Sequence, residues 1–144
     1  MSASNMHCFT YGSLMWADIM ARVCGQAFAS EPASLACHRR HPVHGEDYPG
    51  LRADPAGAVP GRLYRDVTGD AWARLDLFEG AQYERVGVVV TLADGRTLPA
   101  QVYRFRDEFA AGLLPGDWDV AAFEREGRAR FIARYTGFDV VAAR

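Results

Sequence analysis

The segment from Tyr83 to Phe105 constrains the fold of this chain more than any other. Tyr83 to Leu92 carries the β-branched triplet Val88-Val89-Val90, Asp94-Gly95 supplies a turn, and Thr97 to Phe105 returns. Branched side chains suit a pleated strand, and an Asp-Gly pair accepts the positive φ of a tight turn. An antiparallel hairpin is therefore expected here, and the rest of the chain has to form around it.

Upstream, the apolar run His7 to Tyr11 leads into Gly12-Ser13 and reads as a buried strand ending in a turn. Leu14 to Val23 then places Met15, Ile19 and Val23 four apart with Gly25 beyond, the pattern of a helix with one buried face. Residues 33–40 read as a second strand. Residues 41–60 contain Pro42, Pro49, Pro55 and Pro60, and are expected to be an irregular excursion because proline lacks an amide donor. Gly61 to Val67 reads as a strand. Asp70 is expected to cap a helix through Trp72, Leu75 and Phe78 that ends at Gly80. Asp117 is expected to open a long helix with Val120, Phe123, Phe131, Ile132 and Tyr135 on one side, closing at Gly137, with Gly127 weakening its middle.

Strands interrupted by single helices in this order argue against a doubly wound parallel sheet. They point to an α+β fold, a mostly antiparallel or barrel-like sheet flanked by helices. At 144 residues, 49% hydrophobic and 24% charged, the chain is expected to form one domain over residues 1–144. All 16 basic residues are arginine, and 18 acidic ones are interleaved with them, so no basic stripe suits a phosphate backbone. Arg125, Arg128, Arg130 and Arg134 cluster on the C-terminal helix and read as a solvated face. No stretch approaches the ~20 apolar residues that span a membrane. Met1 to Asn5 lacks the apolar core of a signal peptide. Cys8, Cys24 and Cys37 have no CxxC spacing and read as thiols of a reducing compartment, so a cytoplasmic protein is expected, binding neither nucleic acid nor membrane.

Three places could carry chemistry. In Tyr11-Gly12-Ser13-Leu14-Met15, a glycine turn joins a strand to a helix, and the first amides of that helix are free to hold a carboxylate or oxyanion. Many such turns bind nothing. In Leu75-Asp76-Leu77-Phe78-Glu79-Gly80, Glu79 stands at a helix C-terminus, where the dipole disfavours a carboxylate, beside the apolar Phe78. It reads either as a general acid/base or as an exposed residue paired with Arg74 or Arg85. His38, His41 and His44 lie three apart beside Cys37, but Pro42 breaks a helix there and a strand would split them between faces, so no metal site is expected. Glycine fingerprints for dinucleotides or nucleoside phosphates are absent, as is a Gly-x-Ser-x-Gly elbow.

These two segments in this order resemble the γ-glutamylcyclotransferase-like family, in the branch that includes plant avirulence-induced proteins. Tyr48-Pro49-Gly50-Leu51, Val59 to Tyr64, Ala100 to Tyr103 and the closing Trp118…Phe123…Tyr135 helix extend the resemblance to about residues 7–138. The resemblance implies a small β-barrel with flanking helices, a substrate-cradling loop at Tyr11, Gly12, Ser13 and Leu14, and Glu79 as acid/base. It also implies pocket-lining roles for Tyr83 and Tyr103. The implied reaction cyclises a γ-glutamyl amide or amine to 5-oxoproline and releases the amine, with no metal or cofactor. The turn reads Tyr-Gly-Ser-Leu where γ-glutamylcyclotransferases proper have Tyr-Gly-Ser-Asn-Leu. The chain therefore resembles the broader branch, with the leaving group open among an amino acid, a polyamine, an ε-lysyl amine and an antibiotic intermediate. A non-catalytic protein binding the same ligands is the alternative, and a docking domain built on residues 41–60 a third.

Overall fold

The structure is a computed structural model that describes residues 6–134. Its elements in chain order are β1 (Met6–Thr10), a 3₁₀ turn (Ser13–Met15), α1 (Ala17–Cys24), β2 (Ser30–Pro42), β3 (Pro49–Val67), α2 (Gly69–Glu79), β4 (Tyr83–Leu92) and β5 (Thr97–Phe105). A 3₁₀ segment (Asp107–Gly112) follows, then α3 (Val120–Ala122), a π-helical turn (Phe123–Gly127) and α4 (Arg128–Arg134). The strands close into a barrel in the order β1-β3-β2-β4-β5. Neighbours pair antiparallel except β1 and β5, which close the barrel in parallel at Cys8 and Gln101. The expected antiparallel barrel with flanking helices is therefore observed.

Side-chain alternation along the strands builds two cores. Phe9, Leu63 and Val102 join Leu35, Leu51, Val59 and Val90 in a cluster made only of strand and strand-end residues, which fills the barrel. Their neighbours Cys8, Tyr64 and Tyr103 face outward and pack with Ile19, Met20 and Val23 of α1 and Ala71, Trp72 and Leu75 of α2.

The expected irregular excursion over 41–60 is instead the tip and return arm of a long β2–β3 hairpin. Pro42 pairs with Pro49 and Pro60 with Ser34. The prolines are tolerated because β3 pairs with β1 only from Arg62 onward, so its first part is an edge that leaves one side free of ladder bonds. Pro55 sits where the register jumps from Ala36–Ala58 to His38–Ala53, a bulge opposite Cys37, whose φ is 62°. Asp54 closes it by accepting from the Ala56 amide at 3.0 Å and from Arg39 Nε at 2.8 Å.

Other boundaries also differ from expectation. The second strand extends well beyond 33–40, and the first helix begins as a separate 3₁₀ turn before α1 starts at Ala17. α2 is capped by Thr68, whose hydroxyl accepts from the Ala71 amide at 3.3 Å, and not by Asp70, which lies in its first turn. The C-terminal helix starts at Val120 and is capped by Asp119, which accepts from the Ala122 amide at 2.9 Å, two residues later than Asp117. Tyr135 and Gly137 lie outside the described residues. Gly127 is buried against Phe123 and Asp47 in the π turn, so its small size serves packing. Among the described residues no helix is long and apolar enough to cross a membrane.

Candidate active site

Where β1 ends, the chain leaves the barrel through Tyr11 and Gly12 and enters the 3₁₀ turn. The first bond of that turn runs from the Met15 amide to the Gly12 carbonyl at 3.0 Å, so the Ser13 and Leu14 amides precede it and the turn does not use them. Glycine is required at position 12 by proximity: a Cβ there would lie 2.7 Å from Cδ of Pro49. Tyr64 fixes the far end of the loop by donating its hydroxyl to the Leu14 carbonyl at 2.8 Å.

Facing this loop is the C-terminal end of α2. Glu79 is half-buried, and Gly80 ends the helix at φ 78°. Burial of the carboxyl raises its pKa from 4.5 to about 8, and the Asp76 carboxylate, one turn earlier, adds to the shift. Neither arginine considered as a partner pairs with it. Arg85 bonds Asp76 at 3.1 Å and lies over the Trp72 ring at 4.6 Å, and Arg74 donates to the Cys24 carbonyl at 2.9 Å. The exposed, ion-paired alternative for Glu79 is therefore not what the fold builds.

Loop and carboxylate share one pocket of about 580 Å³, open mouth included. Tyr11, Gly12, Ser13, Leu14, Glu79, Tyr83 and Tyr103 all line it, so the fold brings the loop, the acid/base candidate and the two downstream tyrosines to one place. The three tyrosine hydroxyls serve the framework. Tyr11 donates to the Tyr103 carbonyl at 2.7 Å, Tyr83 to the Pro49 carbonyl at 2.7 Å, and Tyr103 to Asp76 Oδ1 at 2.6 Å. Burial pushes the Tyr11 and Tyr103 phenols well above their ordinary range, so both stay protonated as donors. Cys8, buried behind the loop, is likewise raised by burial and held as a thiol.

Sequence reasoning missed part of the wall. Tyr48 and Pro49 come from the tip of the β2–β3 hairpin, and Phe78 and Phe131 from α2 and α4. Phe78 and Phe131 meet edge-on at 6.1 Å, and their helical spacing marked them only as buried. The 41–60 segment contributes Tyr48 and Pro49 to this pocket, which does not favour reading it as a docking surface apart from a pocket. His38 bonds the Ala36 carbonyl and His41 the Gly116 carbonyl, each through Nδ1 at 3.0 Å. Among the described residues no cluster of His, Cys, Asp or Glu is arranged to hold a metal. Three of the clustered arginines are ion-paired: Arg128 with Asp18, Arg130 with Asp47 and Arg134 with Glu46.

A sequence model of the family described as "Gamma-glutamyl cyclotransferase, AIG2-like" matches residues 8–120. The chain belongs to that family. AIG2-like protein C of Arabidopsis thaliana is 27% identical over 125 residues, 86% of this chain and 72% of the relative. An Arabidopsis thaliana protein solved in solution superposes with a TM-score of 0.73 at 25% identity, covering 95% of this chain and 92% of that one. A structure titled "Gamma-glutamyl cyclotransferase" superposes with a TM-score of 0.64 at 16% identity, covering 71% and 67%, a likeness of fold. The AIG2-like match spans the loop, Glu79, Tyr83 and Tyr103.

Proposed function

We infer that this AIG2-like protein is a γ-glutamyl cyclotransferase with Glu79 as its general acid/base. The observation that carries the reading is a carboxyl group with a pKa near 8 in the same pocket as Ser13 and Leu14, whose amides precede the first bond of the 3₁₀ turn. A γ-glutamyl compound contains its own nucleophile, because its α-amine closes a five-membered ring on the γ-carbonyl carbon. The enzyme then has to fold the substrate and move protons. Glu79 as carboxylate takes a proton from the α-ammonium, and the freed amine attacks. The new C–N bond forms as the carbonyl π electrons move to oxygen. The oxyanion re-forms the carbonyl as the old C–N bond breaks. Glu79 gives its proton to the leaving nitrogen, takes the second proton from the ring nitrogen, and passes it to the released amine, which departs as an ammonium. The loop amides hold the substrate carboxylate or the oxyanion. A base raised from 4.5 to about 8 is better matched to an ammonium donor than an ordinary glutamate.

The test measures 5-oxoproline release from a panel of γ-glutamyl amino acids and γ-glutamyl amines. Wild type is compared with Glu79→Gln, which keeps the side chain's shape and removes the proton shuttle. Release by wild type and a loss of about 10²-fold or more in the folded variant establish the reaction and its acid/base. Ligand binding without release across the whole panel would replace the reading with that of a binding protein.

A further inference from the structure

One buried cation stands behind the loop and has no place in the reaction as described. Arg40 of β2 is 5% exposed. Its Nη1 donates to the Tyr11 carbonyl at 2.9 Å. Its Nε and Nη2 form a fork on Asp117, at 2.9 Å to Oδ1 and 3.1 Å to Oδ2, and its guanidinium lies 5.5 Å from the Trp118 ring. A guanidinium is buried at considerable cost unless its donors are satisfied, and here they are divided between a loop carbonyl and a carboxylate on another segment.

We propose that Arg40 is the positioning residue of the pocket's amide loop, acting through the Tyr11 carbonyl and never touching substrate. This rests on reading the pocket as a cyclotransferase site. The Tyr11 carbonyl and the Gly12 amide belong to one planar peptide, so fixing the oxygen fixes the direction of the N–H. Gly12 is the most permissive joint of the loop, and it is held on both sides: by Arg40 at Tyr11 and by Tyr64 at Leu14. A charged donor on the carbonyl also polarises that peptide and strengthens its amide as a donor. Beyond Asp117, the contacts run on to the opposite wall. The Trp118 amide bonds Asp117 at 2.7 Å, Trp118 packs on Phe123 at 5.2 Å, and Phe123 meets the pocket-lining Phe131 at 5.9 Å. Arg40 thereby ties the amide wall of the pocket to its aromatic wall.

Two variants test this. Arg40→Lys keeps the charge and loses the fork; Asp117→Asn, at a carboxylate 66% exposed, loosens the fork without threatening the fold. Backbone amide NMR spectra of the ligand-free proteins are recorded beside pH profiles of 5-oxoproline release. In Arg40→Lys the Gly12, Ser13 and Leu14 signals are expected to shift or broaden while Val88 and Val102 stay in place. Its kcat/KM is expected to fall by about tenfold or more, with the pH midpoint unmoved. Asp117→Asn is expected to show an intermediate effect, and it decides the matter alone if Arg40→Lys does not fold. Loop signals unchanged and kcat/KM within about twofold of wild type in a folded variant would overturn the proposal. Where wild type releases no 5-oxoproline, the cyclotransferase reading fails and the loop signals alone decide whether Arg40 positions the loop.

Discussion

Glu79 occupies a position where both its helix and its surroundings disfavour charge. The C-terminal end of α2 carries partial negative charge, Asp76 adds a full one, and burial removes the water that would stabilise a carboxylate. Such a group makes the protein less stable in its ionised form, which gives a stability signature independent of any substrate. The folded pKa, about 8, lies above the ordinary 4.5 of an unfolded chain, so the folded state binds the extra proton between those values. Its contribution is fully present below pH 4.5 and is lost as pH rises through 8. Glu79→Gln has no proton to lose. It is expected to match wild type in thermal unfolding at pH 4 to 4.5 and to exceed it progressively toward pH 8 to 9, by on the order of 1–4 kcal/mol. A constant difference across that range would mean that Glu79 titrates normally. The residue was legible in the sequence as a glutamate opposed to a helix dipole. Partial burial beside Phe78 was legible too, but the rest of its enclosure was not, because Phe131 and Tyr48 come from α4 and the β2–β3 tip.

Helix α2 presents two carboxylates one turn apart and uses them differently. Asp76 is held by Arg85 at 3.1 Å and by the Tyr103 hydroxyl at 2.6 Å, while Glu79 is left to the pocket. Asp76 is the charged group that acts on Glu79, and Glu79 in turn helps to raise the neighbouring Cys8, Tyr11 and Tyr103. In Asp76→Asn the amide oxygen still accepts from Tyr103, the negative charge is gone, and Arg85 is left uncompensated nearby. Both changes favour the Glu79 carboxylate. The midpoint of the kcat/KM profile, rising with pH as the base form appears, is expected to move from near 8 to lower pH. An unmoved midpoint would show that burial alone sets the value. At this scale the hairpin of β4 and β5 and the helix α2 were readable from branched residues and glycine stops. The β2–β3 hairpin was not, because prolines that would break a central strand are harmless on an edge, and edge position depends on strands elsewhere in the chain.

Closure of the barrel decides where everything else lies. β1 is only five residues long, yet it pairs with β3 and β5 together, and its end delivers the loop to the pocket. Gly61 makes that closure possible: a Cβ there would lie 2.1 Å from the Thr10 carbonyl oxygen and 2.6 Å from Cζ of Phe9. The obstacle is backbone, so relief requires β1 to move away from β3. Gly61→Ala is expected to destabilise the fold by about 3 kcal/mol or more in urea unfolding. Gly69→Ala, whose Cβ meets nothing within 4 Å, is expected to stay within about 0.5 kcal/mol of wild type. Equal behaviour of the two would mean that the β1–β3 approach is not what fixes the barrel. By itself the sequence determined the local pieces: the Asp94-Gly95 turn, the glycine stops at Gly25 and Gly80, the alternating core positions, and the types of the two site segments. Those follow from short-range sterics, which neighbouring residues set. Only the tertiary structure decided that Ser13 and Leu14 would face Glu79, that Arg40 would reach Tyr11, and that Phe131 would close the wall. Those groups lie tens of residues apart in the chain, and the pairing of a closed barrel is what brings them together.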